Sequence, residues 1–177
     1  MTKTAFASKH IGDQVLSQDQ IKQGVTQVAQ RLNAAFEDAV IISVVPGGML
    51  FTADLVRELE FDVCLDYISC PHIPGDRQNL SDIVYHQNIS IEGKDVILID
   101  DAIESGGTMK RLVEHLQTNY AVKSLSIATL FVKPSRVDIP VTQFFAYEMS
   151  SDDMLVGYGL PWKDKLRNVP YVSKLNK

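Results

Sequence analysis

The sequence predicts an α/β fold: a mostly parallel, twisted sheet flanked by helices, with a small β-rich hood toward the C-terminus. Three observations predict it. Short runs of branched aliphatic residues, at 39–45 (AVIISVV), 96–99 (VILI) and 124–131 (SLSIATLF), suit strands buried on both faces. Segments of helical periodicity lie between them, and strands alternating with helices give parallel sheets. The tail differs, since 144–148 and 155–158 read as short strands with no helix between them.

In chain order, Ser17-Gln18-Asp19-Gln20 forms a capping box ahead of Ile21, Val25, Val28, Leu32 and Phe36 at helical spacing. The strand at 39–45 ends in the tight loop Pro46-Gly47-Gly48, and a helix follows over about 50–60. Residues 61–68 alternate apolar with polar, as a half-exposed strand does, with Cys64 read as a small core residue. Residues 69–81 (SCPHIPGDRQNLS) hold two prolines and a glycine, a long loop that reads equally as an active-site lid or as a disordered surface excursion. Strand-like 83–86 and a Glu92-Gly93 turn lead back to the aliphatic run at 96–99, and a helix is expected over 109–116. One domain, 1–177, is expected, with a core over about 17–135 and a hood formed mainly by about 136–177.

The stretch that organises the rest is 96–108, VILIDDAIESGGT. A buried strand there ends in Asp100 and Asp101, with Glu104 close behind. Ligands of open α/β sheets bind outside the carboxyl ends of strands, so acids at that position call for a functional reason. Ser105-Gly106-Gly107-Thr108 then opens a helix with flexible backbone, little bulk and unpaired N–H groups, which is a phosphate cradle. If a polyphosphate binds beside these three carboxylates, the repulsion must be relieved by Mg²⁺, by backbone N–H groups or by nearby Lys and Arg, and a divalent cation is implied.

Composition narrows the classes. Hydrophobic residues are 45% and charged residues 22%, no apolar run approaches the ~20 residues of a membrane span, and the formal net charge is −5. No membrane association and no nucleic-acid surface are expected. The opening residues lack the apolar core of a signal peptide, and Cys64 and Cys70 make neither a disulfide framework nor a zinc spacing, so a cytoplasmic location is expected.

Four stretches in order, SVVPGGMLFTADLVREL, VILIDDAIESGGT, FVKPS and MLVGYGLPWKDKLRNVPYVSKL, resemble the type I phosphoribosyltransferases and, within them, the hypoxanthine-guanine enzymes. The resemblance implies that fold, and transfer of the 5-phosphoribosyl group from phosphoribosyl pyrophosphate (PRPP) to hypoxanthine or guanine with release of pyrophosphate. It implies that Asp100 and Asp101 bind the ribose hydroxyls and Mg²⁺, and that Ser105, Gly106, Gly107 and Thr108 hold the 5′-phosphate. It places Pro46, Gly47, Gly48 and Arg167 at pyrophosphate, and Lys133, Met154 and Leu155 at the purine. Glu104 takes the position of the general acid/base facing purine N7, where most relatives have Asp.

The resemblance also marks departures. Pro46 stands where relatives have Lys, Met154 where an aromatic residue stacks on the base, and Pro161 where an aspartate helps hold a second metal. That metal is then held by PRPP and water, or by Asp164 in a shifted register. The lid loop lacks the usual tyrosine. Trp162 aligns near the purine pocket, as base contact or as packing, and a homodimer or homotetramer is expected, with the helix after Gly48 in the interface. Two other functions stand beside the leading one. These are a non-catalytic PRPP or nucleotide-binding regulator, with the lack of a helix-turn-helix extension counting against a DNA-binding one, and a transferase for another base such as xanthine.

Overall fold

The computed structural model describes residues 8–71 and 79–177. The elements are β1 (Ile11–Leu16), α1 (Gln18–Ala35), β2 (Asp38–Val45), α2 (Met49–Val56), β3 (Asp62–Ser69), β4 (Asp95–Ile99), β5 (Ala102–Ile103), α3 (Gly107–Asn119), β6 (Ser124–Val132), β7 (Thr142–Glu148), β8 (Leu155–Val156) and β9 (Val172–Leu175). The main sheet has the order β3-β2-β4-β6-β5, with β7 also pairing with β6, and every pairing in it is parallel. A second, antiparallel sheet has the order β1-β9-β8.

Two hydrophobic clusters lie on the two faces of the main sheet. One joins α1 and α2 to β2, β4 and β6 through Val28, Leu32, Phe51, Leu55, Ile97 and Phe131. The other packs Leu112, Val113 and Leu116 of α3 against Val40, Ile42, Leu98 and Ile127. Residues 40–44 and 96–99 therefore send alternate side chains into opposite cores, which is why they read as continuous apolar runs. The capping box at the start of α1 is present, with Gln20 N–H donating to Ser17 Oγ at 3.1 Å and Ser17 N–H donating to Gln20 Oε1 at 2.8 Å.

Several expectations are corrected. The hood sheet is not assembled from the C-terminal region alone: β1 supplies its edge, registered from Ile11 to Leu175. The strand expected in the tail at 144–148 instead extends the main sheet as β7, because Phe144 packs into the α1-side cluster. Cys64 is exposed and Cys70 is the buried cysteine, since β3 is an edge strand with one open face. Residues 83–86 form no strand but a single bridge from Val84 to Ser69. Helix α2 stops at Val56, and the strand expected at 155–158 ends at Val156 because Gly157, Tyr158 and Gly159 all have positive φ. Of the loop at 69–81, residues 72–78 lie outside the described residues.

Candidate active site

Strand order creates the site. Because β2 and β4 are neighbours in parallel register, Ser43 opposite Ile99, the Pro46-Gly47-Gly48 loop and the Asp100-Asp101 pair leave the sheet side by side. Strand β6 lies on the other side of β4, and the short β5 pairs Ile103 with Val132. Glu104 and Lys133 are thereby brought together: Lys133 N–H donates to the Ile103 carbonyl at 2.9 Å, and Lys133 Nζ lies 2.6 Å from Glu104 Oε1. A cleft of about 160 Å³ runs between these strand ends, the start of α3 and the hood. Its walls include Pro46, Gly47, Asp100, Asp101, Glu104, Ser105, Gly106, Thr108, Met154, Leu155, Pro161 and Arg167.

The Pro46-Gly47-Gly48 loop is defined by close backbone packing. The Val45-Pro46 peptide is cis. Gly48 caps α2 with no side-chain hydrogen bond, and a Cβ there would lie 2.7 Å from the Ile99 carbonyl oxygen and 2.8 Å from Asp100 Cα. Only glycine lets this loop approach the acid pair so closely. The start of α3 has the same character: Gly106, at φ +86°, caps the helix without a side-chain bond, and in the first turn Gly107 N–H donates to Ser105 Oγ at 3.4 Å.

The acid pair is buried and self-repelling. Asp101 is 7% exposed; Asp101 N–H donates to Asp100 Oδ1 at 2.8 Å, and Ala102 N–H donates to Asp101 Oδ1 at 2.7 Å. Loss of hydration, with the neighbouring Asp101 and Glu104 charges, pushes the Asp100 carboxyl well above the usual range. Asp101 is pushed up to about 6, chiefly by burial, with Arg167 pulling the other way. Among the described residues no cluster of three or more His, Cys, Asp or Glu is arranged to hold a metal ion.

The hood closes the cleft. Arg167 Nη1 donates to the Gly159 carbonyl at 2.6 Å, Gly159 N–H donates to the Arg167 carbonyl at 2.9 Å, and a Cβ on Gly159 would collide with the Gly47 carbonyl. Tyr158 Oη donates to Asp54 Oδ2 at 2.6 Å, tying this turn to α2. On the opposite side Lys133, buried, donates to the Asp153 carbonyl at 2.8 Å, immediately before half-exposed Met154. Asp164 does not line the cleft, whereas Pro161 does. Trp162 faces His10, with ring centroids 6.2 Å apart.

The residues singled out in the sequence thus converge on one cleft, with Gly48, Gly107 and Lys133 supporting it from just behind its walls. Sequence reasoning gave no roles to Gly159, Cys70 or Asn79. For Gly159 the Gly-Tyr-Gly turn was a usable signal; for Cys70 and Asn79, inside a polar irregular stretch, there was none.

A family model for the phosphoribosyl transferase domain matches residues 12–160. This chain belongs to the hypoxanthine-guanine phosphoribosyltransferase family. It is 30% identical over 175 residues to a hypoxanthine phosphoribosyltransferase of Salmonella typhimurium, covering 94% of this chain and 97% of the relative. A hypoxanthine-guanine phosphoribosyltransferase of Staphylococcus epidermidis is 29% identical over 171 residues, with 94% and 95% covered. The crystal structure of a hypoxanthine-guanine phosphoribosyltransferase from Bacillus anthracis superposes with a TM-score of 0.84 at 30% identity, covering 95% of this chain and 99% of that one. Membership carries the type I fold, and the antiparallel hood over the sheet's carboxyl edge agrees with it. Among the described residues no helix is long and apolar enough to cross a membrane.

Proposed function

We propose that this chain transfers the 5-phosphoribosyl group of PRPP to N9 of hypoxanthine or guanine, forming IMP or GMP and pyrophosphate. What supports the reading is the convergence, in one cleft, of an acid pair beside a phosphate cradle with a buried lysine beside a half-exposed glutamate.

In this reading the open first turn of α3, with Ser105 and Thr108, holds the 5′-phosphate, where helix N–H groups and hydroxyls meet the anion. Asp100 and Asp101 accept hydrogen bonds from the ribose 2′ and 3′ hydroxyls. Gly47 and Gly48 offer backbone, and Arg167 its guanidinium, to pyrophosphate; with Pro46 replacing a lysine, Arg167 is the cationic side chain on the described wall of the cleft. Lys133 donates to the 6-oxo group, and a base lacking that acceptor leaves a buried ammonium N–H unpaired. Met154 and Leu155 supply apolar surface for the ring.

The bond from C1′ to the pyrophosphate oxygen breaks as the bond from N9 to C1′ forms. Positive charge developing on the sugar faces the acid pair, which stabilises it. Glu104 accepts the purine proton at N7, and the ammonium of Lys133 at 2.6 Å keeps that carboxylate in place.

The acid pair suits Mg²⁺: two desolvated carboxylates are both held above their ordinary range, and the attraction of Arg167 for Asp101 does not offset this. When bound, the ion neutralises pyrophosphate and favours its departure. Two carboxylates leave most coordination positions to PRPP and water, and Pro161 adds none. A homodimer or homotetramer fits exposed Met49 and Leu50 on α2, and a cytoplasmic location fits a salvage role.

Product analysis tests the function. Nucleotide and pyrophosphate should form from PRPP and hypoxanthine with Mg²⁺, and formation should stop with a chelator. Calorimetric PRPP binding without product for any base would favour a non-catalytic PRPP sensor instead, the function that Pro46 and Pro161 would permit.

A further inference from the structure

We infer that Asn79 is a positioning residue that fixes the Thr108 hydroxyl as a hydrogen-bond donor to the 5′-phosphate, a role that rests on the cradle assignment above. Asn79 lies outside every motif and yet is only 1% exposed. Its Nδ2 donates to Thr108 Oγ1 at 2.7 Å and lies 3.6 Å from Cys70 Sγ, while its Oδ1 accepts from Ser81 Oγ at 2.8 Å. Its backbone is bolted to the same helix, because Arg111 Nη1 of α3 donates to the Asn79 carbonyl and to the Ser81 carbonyl. The residue adopts φ +45°, a conformation asparagine tolerates better than most.

An amide NH₂ only donates, so Thr108 Oγ1 must accept from it. The single hydroxyl hydrogen of Thr108 is then left to donate elsewhere, and Thr108 borders the cleft in the first turn of α3. Asn79 occupies the accepting side of the oxygen and presents the hydrogen to the cleft. A phosphate oxygen is the acceptor that fits.

A double-substitution cycle read in the Kd of PRPP, by calorimetry with Mg²⁺, tests this without requiring turnover. Asn79→Ala alone and Thr108→Val alone should each weaken PRPP by roughly tenfold, the scale of one hydrogen bond to a charged group. Together they should weaken it no more than Thr108→Val alone, because Asn79 acts through that hydroxyl. Multiplicative losses would overturn the inference, since they mean Asn79 acts independently of Thr108; so would an unchanged Kd for Asn79→Ala. If Asn79→Ala fails to fold by thermal melting, the near-isosteric and uncharged Asn79→Leu, which removes the donor, enters the same cycle with the same criteria. Failure of the unaltered protein to bind PRPP overturns both the cradle and Asn79. Binding with the expected cycle but no product with any base defeats only the transferase reading.

Discussion

At the end of the cleft made by residues 46–48 and 105–108, the wall is carried largely by main chain: glycines at 48 and 106, where a Cβ would meet backbone or Val137, and a helix start with no side-chain cap. At the other end it is carried by side chains that reach in from separate elements, Glu104 after β5, Lys133 after β6 and Met154 before β8. The difference teaches where a sequence in this family can change. The main-chain end survives as long as the glycines do, whereas the side-chain end carries Met154, Glu104 and Pro161, the departures that the sequence resemblance marks, without a break in the fold.

Breaking the main-chain end should have the largest effect. Gly48→Ala places a methyl 2.7 to 2.8 Å from backbone atoms of residues 44, 99 and 100, with no flexible side chain to yield. PRPP turnover should fall at least about 100-fold, as expected when reacting groups are misplaced by an ångström, measured by initial rates on protein whose melting is checked in parallel.

Asp101→Asn separates function from stability. Removing a buried, self-repelling carboxylate should raise the melting temperature of the ligand-free protein by a few degrees, at ~2–4 °C per kcal/mol for a domain of this size, while PRPP binding by calorimetry is lost. The same acid sets a pH dependence. A carboxyl with a raised folded-state pKa contributes stability that is full below its unfolded value near 3.8 and lost as pH rises through about 6. Melting of the ligand-free protein should therefore become easier between about pH 4 and 6, and Asp101→Asn should flatten that slope. PRPP binding should run the opposite way, weakening as pH falls through about 6.

At the side-chain end, Lys133→Met should raise the KM for hypoxanthine roughly 10- to 100-fold, the cost of one charged hydrogen bond, and leave the Kd of PRPP nearly unchanged. Met154→Tyr should have the smallest effect, lowering the KM for the base by a few-fold through stacking, since Met154 is 47% exposed beside the cleft and displaces little on enlargement.

The same contrast explains what was legible in the sequence. Buried parallel strands and the acid-and-glycine loop could be read because each is a local pattern: 96–99 must be apolar on both faces, and 105–108 must be small. The assignment of β1 to the hood was not legible, since its pairing with β9 joins residues more than 150 positions apart and nothing in IGDQVL names its partner. Cys64 was misread because alternation along β3 does not reveal that this strand is a sheet edge. The Glu104–Lys133 pair joins two separate motifs, and only the short β5 pairing on β6 brings them into contact.

The most direct test of the central claim is a panel of initial rates with PRPP and Mg²⁺ against hypoxanthine, guanine, xanthine and adenine. Turnover with at least one 6-oxopurine and none with adenine is the predicted result. Adenine used as well as hypoxanthine, or no product from any base by folded protein that binds PRPP, would contradict it.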